Sequence, residues 1–240
     1  MENAPPLIDL HIKELQLARA RPHFEKHNFL FKHVEEELTA RLSNIKKNFP
    51  RVLNLSFWPV TLNRVEIETH SPLKPFTTTK PYDLIVSCLC LHWVEQLPQY
   101  LKAIRSWLSD EGLFMGTFFA GDTLIELRES FLKTELELYG GASPHVLPFV
   151  RLEDGPKLMA YAGFHEPVID CDSIQVEYTS LQTLFRDLRF TGENNALFQR
   201  SKTFQSPTCF KKLENYYNSM YKNDKYSVAT FEFLTLTGWK

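Results

Sequence analysis

Apolar positions along this chain recur with two periods, and the changes of period mark its elements. From Asp9 to Leu42 the spacing is helical: Val34, Leu38 and Leu42 fall on one helix face, and Pro50 is read as the stop. Val52-Leu53-Asn54-Leu55 reads as a short strand, Ser56-Phe57-Trp58-Pro59 as a bulky turn, and Val65-Glu66-Ile67-Glu68-Thr69 as an alternating second strand. Prolines and threonines make His70 to Pro81 a loop. The plainest strand is Tyr82 to Cys90, whose Leu84-Ile85-Val86 run suits burial on both faces of a parallel sheet. Pro98 to Leu108 is an amphipathic helix, Asp110-Glu111-Gly112 a turn, and Leu113 to Phe119 another buried strand. A long helix from Thr123 to Tyr139 ends at Gly140-Gly141, and a shorter one from Leu152 to Tyr161 ends at Gly163. Val168 to Tyr178 is a strand. Leu181 to Phe190 and Cys209 to Tyr221 are helices around the polar stretch Thr191 to Pro207, and Val228 to Trp239 is a final alternating strand. Strands alternating with helices predict an α/β fold with a largely parallel sheet covered on both faces. Alternation in the last strand predicts an antiparallel edge.

Composition narrows the function. At 240 residues the chain is expected to form one domain with one large core. Its formal charge of -2 leaves no excess of cations to neutralise phosphates, so no nucleic-acid partner is expected. Only 9 glycines are present, few for an enzyme whose backbone must approach a nucleotide. Cys88 and Cys90 should point the same way from their strand; without a Cys-x-x-Cys or His-rich spacing, the cysteines read as buried thiols and no metal site is expected. Met1 to Leu10 lacks a basic segment followed by an apolar one, and no window reaches transmembrane length. A cytoplasmic protein is the resulting expectation, with the mitochondrial matrix as the alternative if the source is eukaryotic.

Specific residues carry a family resemblance. Tyr82-Asp83-Leu84-Ile85-Val86-Ser87, then Leu91-His92-Trp93-Val94 and Leu97-Pro98, resemble the fourth strand and following helix of class I S-adenosylmethionine-dependent methyltransferases. Gly112-Leu113-Phe114, Gly116 and Phe118 resemble their fifth strand. The match narrows through Gly121-Asp122-Thr123-Leu124-Ile125-Glu126-Leu127-Arg128, Gly140-Gly141-Ala142-Ser143-Pro144-His145, Asp187-Leu188-Arg189, Thr191-Gly192-Glu193-Asn194-Asn195 and Gly238-Trp239-Lys240. These are similar to the branch holding malonyl-acyl-carrier-protein O-methyltransferase of biotin synthesis and the methyltransferase-like assembly factor of respiratory complex I. The second is the closer likeness, echoed also by Arg19-Ala20-Arg21 and by Phe24 to Leu30.

The resemblance implies a Rossmann-like class I methyltransferase sheet over a single domain, 1–240. Within it, 1–50 would be N-terminal helices, 51–81 a degenerate cofactor region, and 82–240 the C-terminal half of the sheet with a helical cover. It implies S-adenosylmethionine as cofactor if the protein is active. The family's first strand ends in an acid and a Gly-x-Gly turn that lets backbone approach the cofactor; a second acid binds its ribose. Here Asn54 stands at the first acid, and Ser56, Phe57, Trp58 and Pro59 replace the glycines. The distance from this strand to Asp83 is also too short for the family's two intervening helices and two strands. Glu66 or Glu68 could imitate the ribose acid or simply decorate a solvated strand.

No catalytic residue is assigned. Cofactor-binding candidates are Asn54, Ser56, Ser87, Leu91 and His92, the last against a role as a capping histidine; Trp93 reads as core. Substrate-binding candidates are Asp122, Arg128, Ser143, His145, Arg189 and Asn194. Their plainer readings are an N-cap for Asp122, a surface ion pair for Arg128, turn chemistry for Ser143 and His145, and loop-fixing hydrogen bonds for Arg189 and Asn194. As a fork donor Arg128 could bind a carboxylate. The reading is a pseudoenzyme with a degenerate cofactor site that acts through a protein or acyl-carrier-like partner. The alternatives are an active O- or N-methyltransferase with a site rebuilt around Asn54, Ser87 and His92, and an assembly-factor-like arginine hydroxylase. Phe57 or Trp58 should fill the space that the lost segment leaves.

Overall fold

The computed structural model describes residues 6–62, 67–202, 206–223 and 225–240. Helices are α1 (Leu10–Ala20), α2 (Phe29–Ser43), α3 (Leu97–Trp107), α4 (Ile125–Tyr139), α5 (Gly155–Ala162), α6 (Leu181–Thr191) and α7 (Pro207–Tyr221). Strands are β1 (Val52–Leu55), β2 (Ile67–His70), β3 (Tyr82–Cys88), β4 (Leu108–Ala120), β5 (His165–Tyr178) and β6 (Ser227–Trp239). The strands form one sheet in the order β2-β1-β3-β4-β6-β5. The chain divides into two compact units. One holds Asn28–Gly121, Phe149–Asp172 and Glu232–Lys240; the other holds Met1–His27, Asp122–Pro148 and Ser173–Phe231.

The first unit carries the parallel part of the sheet. β1 lies between β2 and β3, parallel to both, and β3 is parallel to β4 with α3 as the crossover. This is the expected pair of adjacent parallel strands: Leu84, Ile85 and Val86 are buried because both faces are covered. α3 buries Leu97, Leu101 and Ile104 in a core shared with Leu53, Leu55, Ile85, Phe114 and Phe118. β4 is longer than expected, since Asp110-Glu111-Gly112 stays in the strand and is absorbed as a register shift opposite Tyr82 and Leu84. Gly238 sits where a Cβ would come within 2.6 Å of Met159 Cε and 2.8 Å of Phe164 Cβ, so only glycine packs there.

Three local expectations are corrected, and part of a fourth falls outside the described residues. β6 is antiparallel to β4, as expected, but it is not an edge: β5 lies outside it, and the pairing buries most of β6. Helix α2 ends at Ser43, with the Asn44 N–H closing on Arg41 and Leu42, before Pro50 is reached. Cys88 and Cys90 do not share a direction, because Leu89 adopts a left-handed conformation (φ 47°) that ends the strand's alternation; the Cys88 thiol faces the Phe31 carbonyl and the Cys90 thiol the Leu55 carbonyl. The second strand begins at Ile67 within the described residues; Val65 and Glu66 lie outside them.

The second unit is built on α1, α4, α6 and α7. Helix α4 packs on α7 and α1 on α6. Ser180 and Ser206 cap α6 and α7 by accepting the Thr183 and Cys209 N–H groups. Lys13 is fully buried; its ammonium donates to the Gly192 carbonyl at 2.7 Å, at the C-terminus of α6 where carbonyls lack helical partners, and lies 3.4 Å from Glu193. Gly140 ends α4 with φ 71°, a turn that a side chain would strain.

Candidate functional site

Two groups of candidate residues lie in separate units. At the end of β1 the polar side chains are buried and internally bonded. Asn54 donates from Nδ2 to the Trp58 carbonyl at 2.9 Å and to the Thr69 hydroxyl at 3.3 Å. Its Oδ1 is buried with no hydrogen-bond partner among the described residues. Ser56 accepts the Cys88 N–H at 2.7 Å, and Ser87 donates to the Leu55 carbonyl at 2.8 Å. Leu91 is fully buried in the core. Thus Asn54, Ser56, Ser87 and Leu91 gather around the ends of β1 and β3, with their side chains turned to the protein itself. His92 is half-buried in a 3-10 turn, Leu91–Trp93, with its ring 5.0 Å from Phe119 and 5.9 Å from Phe149. It lies inside this turn, whose ends are Cys90 and Val94, and Trp93 is core as expected. Trp58 is 8% exposed, and Phe57 packs on the cluster that includes Cys90 and Leu91. The space beyond β1 is therefore occupied by aromatic side chains, as expected from the cost of an empty apolar hole. Glu68 is exposed and accepts the Tyr82 hydroxyl at 2.5 Å; with burial, this contact pushes the Tyr82 pKa up to about 12.

In the other unit, Arg128, Ser143 and His145 converge on one cavity of about 580 Å³. Helix α4 supplies Arg128 and Phe131, and the loop after Gly140 supplies Ser143 and His145. The residue that organises them is Glu135, only 3% exposed, one helical turn before the end of α4. Its carboxylate accepts the Ser143 N–H at 2.7 Å, the Ser143 hydroxyl at 3.1 Å and His145 Nε2 at 2.8 Å. Burial pushes the Glu135 pKa up, but the Ser143 N–H and the His145 ring outweigh it and hold the carboxyl below its ordinary value. His145 also stacks on Phe131, with centroids 3.7 Å apart and planes at 7°. Ser143 and Glu135 both face the same ring nitrogen, Nε2. A nucleophilic relay needs the hydroxyl on one nitrogen and the acid on the other, so this arrangement fixes a loop and does not activate the serine.

The remaining candidates are not brought to this cavity. Asp122 is exposed and does not cap α4: Leu124, in a left-handed conformation at φ 55°, takes the N-cap position because its N–H is drawn to the Thr230 carbonyl, and the helix starts at Ile125. Arg189 is exposed on α6, and Asn194 is half-buried in the loop beyond it. The loop-fixing bonds come instead from Asn195, which donates to the Pro144 carbonyl at 2.8 Å and accepts the Leu197 N–H at 2.9 Å. Glu135 was missed because an acid between apolar residues on a long helix looks solvated; its burial depends on a loop that sequence spacing does not place.

No family model matches the chain. It is 34% identical to human "Arginine-hydroxylase NDUFAF5, mitochondrial" over 97% of this chain and 76% of that protein. The chain belongs to the methyltransferase-fold family of the mitochondrial arginine hydroxylases. The second branch of the family is represented by malonyl-[acyl-carrier protein] O-methyltransferase of Xylella fastidiosa, 32% identical over 65% of this chain and 51% of that enzyme. The fold is that of class I methyltransferases: a solved structure of a candidate methyltransferase from Bacillus halodurans superposes with a TM-score of 0.51 at 11% identity, over 85% of this chain and 97% of that one. Family membership corrects the expected cytoplasmic location, since the human relative and four more of the same description are mitochondrial proteins. Charge and reduced cysteines could not separate the two compartments, because neither is specific to the cytosol. Among the described residues no helix is long and apolar enough to cross a membrane.

Proposed function

We propose that this chain is a mitochondrial, assembly-factor-like protein of the arginine-hydroxylase branch, which works on a protein partner and has kept the methyltransferase fold without a working cofactor site. The observation that carries the first part is the 34% identity to the human arginine hydroxylase across 97% of the chain. The second part follows from a test of fit. S-adenosylmethionine would need backbone access at the end of β1 and free acceptors for its ribose. There the Asn54 amide nitrogen, the Ser56 hydroxyl and the Ser87 hydroxyl are buried and bonded to protein groups, Trp58 is buried just beyond them in sequence, and Asn54 Oδ1, the one acceptor left over among the described residues, carries no charge where the family has an acid. A Cβ at each former glycine position closes the approach that a glycine turn would leave. These residues do not fit the cofactor.

The experiment is a rescue in cells lacking the endogenous gene, read by mass spectrometry of mitochondrial proteins. Deletion should remove a one-oxygen mass increase from an arginine-containing peptide, and re-expression of the full chain should restore it, with dioxygen as the oxidant and an external two-electron donor reducing its second oxygen to water. An unchanged set of arginine adducts overturns the hydroxylase reading. Calorimetric titration with S-adenosylmethionine tests the other half: no tight binding is expected, and a dissociation constant in the low micromolar range, about -8 kcal/mol, overturns the loss of the cofactor site. The identity to the Xylella O-methyltransferase favours a second reading, an active methyltransferase rebuilt around Asn54, Ser87 and His92. It requires that same micromolar binding, lost on Asn54→Ala.

A further inference from the structure

The cavity at the loop after α4 has an uneven wall. Most of it is apolar, and two of its apolar side chains, Leu7 and Leu132, are 44% and 48% exposed. Exposed leucines lining one concavity leave apolar surface in water that a ligand body would cover. Among the described residues two titratable side chains line this wall, Arg128 and His145. The His145 ring is already committed, stacked on Phe131 and bonded through Nε2 to Glu135. Arg128 is half-buried, and among the described residues its side-chain bond is one donation from Nη2 to the Leu147 carbonyl at 3.1 Å. A guanidinium carries five N–H donors in a planar fork and stays charged throughout the physiological range. Beside an apolar wall, a half-buried guanidinium with donors to spare can take a charged partner in a planar fork, where partial exclusion of water strengthens the contact.

The geometry points to a binding site for a small amphipathic carboxylate, with its head on Arg128 and its apolar body along Phe131, Leu132, Leu197 and Leu7. The charge count selects the head group. One fixed cation on the wall matches one negative charge, while the ionised Glu135 carboxylate behind Ser143 and His145 opposes a dianion such as a phosphate monoester. The same cation excludes a guanidinium or ammonium head, so this is not the place where a partner's arginine would be received. The cavity volume of about 580 Å³ is that of a site for one small molecule. The site stands independently of whether the chain modifies arginine.

The test is calorimetric titration of the full chain with decanoate, decanol, decyl phosphate, decylamine and acetate. Decanoate should bind best. Decanol and decyl phosphate should bind at least about tenfold more weakly, the loss expected for one charge-assisted contact, and decylamine and acetate should not bind detectably. Arg128→Gln should weaken decanoate by about tenfold and leave decanol unchanged; Arg128→Lys, which keeps the charge and loses the fork, should fall between. Leu132→Asp, on an exposed rim position, should weaken decanoate and decanol together. Circular dichroism shows whether each variant is folded, and Arg128→Lys serves as the reporter if Arg128→Gln is not. Equal affinity for decanoate and decanol, an Arg128→Lys variant indistinguishable from the parent, or no decanoate binding overturns the proposal. Failure here would leave the arginine readout of the rescue experiment untouched.

Discussion

The end of β1 and the loop after α4 are both polar clusters, yet they have opposite characters. At β1 each hydroxyl and the Asn54 amide nitrogen is turned to a backbone or side-chain partner on β1, β2, β3 or the turn after β1, and aromatic rings take the remaining space. At α4 a buried acid holds the loop, and the loop leaves a cavity with a cation on its wall. Internal satisfaction of polar groups removes binding capacity; the same satisfaction one shell further out creates it, by fixing the wall and leaving one donor group unspent. A closed polar cluster in one unit is therefore no guide to whether a cluster in the other is open.

The largest expected effect breaks the closed region. Trp58→Ala removes a buried indole and should destabilise the protein by about 3–5 kcal/mol, seen as a lower midpoint in denaturant unfolding. If its stability is unchanged, Trp58 does not fill the space beyond β1. If the variant also gains micromolar affinity for S-adenosylmethionine, the ring alone had closed the site, and the comparison would have to be redrawn.

The next effect tests the open region through Glu135. Its pKa is lowered in the folded state, so it stabilises the fold above the ordinary carboxyl value of 4.5, and that contribution is lost as pH falls through the lower, folded value. Glu135→Gln should cost about 1.5–3 kcal/mol at pH 7, the range for hydrogen bonds to a charged group. Unfolding measured at neutral pH and again at acid pH separates the cause: the difference from the parent should shrink in acid, where the parent carboxyl is protonated too. A constant difference across pH would mean that Glu135 acts by shape and not by charge.

How much of this was legible depends on how local the cause is. The β3-α3-β4 unit could be read because Leu84-Ile85-Val86 and the α3 face at Leu101 and Ile104 carry their burial in their own spacing. The Asp122 cap could not, because a single distant contact, the Leu124 N–H to the Thr230 carbonyl, moves the start of α4. The Leu89 turn likewise hid the separate directions of Cys88 and Cys90. At the cavity, Arg128, Ser143 and His145 were visible as polar residues around Gly140-Gly141, while Glu135 and Asn195, which hold them, were not assigned these roles. A holding residue is defined by the partner it meets in space, and its own spacing along the chain says little.

The smallest effect sharpens the comparison at that holding layer. Asn195 bonds the Pro144 carbonyl and the Leu197 N–H, tying the loop to the segment after α6. Asn195→Ala removes both bonds. Each is part-exposed or exposed, so water replaces much of what is lost, and the cost to global stability should be only about 0.5–1.5 kcal/mol. Its local signature should be larger than its global one. The Ser143 N–H, which donates to Glu135, lies next to Pro144, and freeing that carbonyl lets the loop open without unfolding the rest. Native-state hydrogen exchange should then show faster exchange at Ser143. The Cys88 N–H, which donates to Ser56 beyond β1, should keep its protection. Equal acceleration at both amides would mean that the variant destabilises the whole molecule, and that the loop is not an independently held wall.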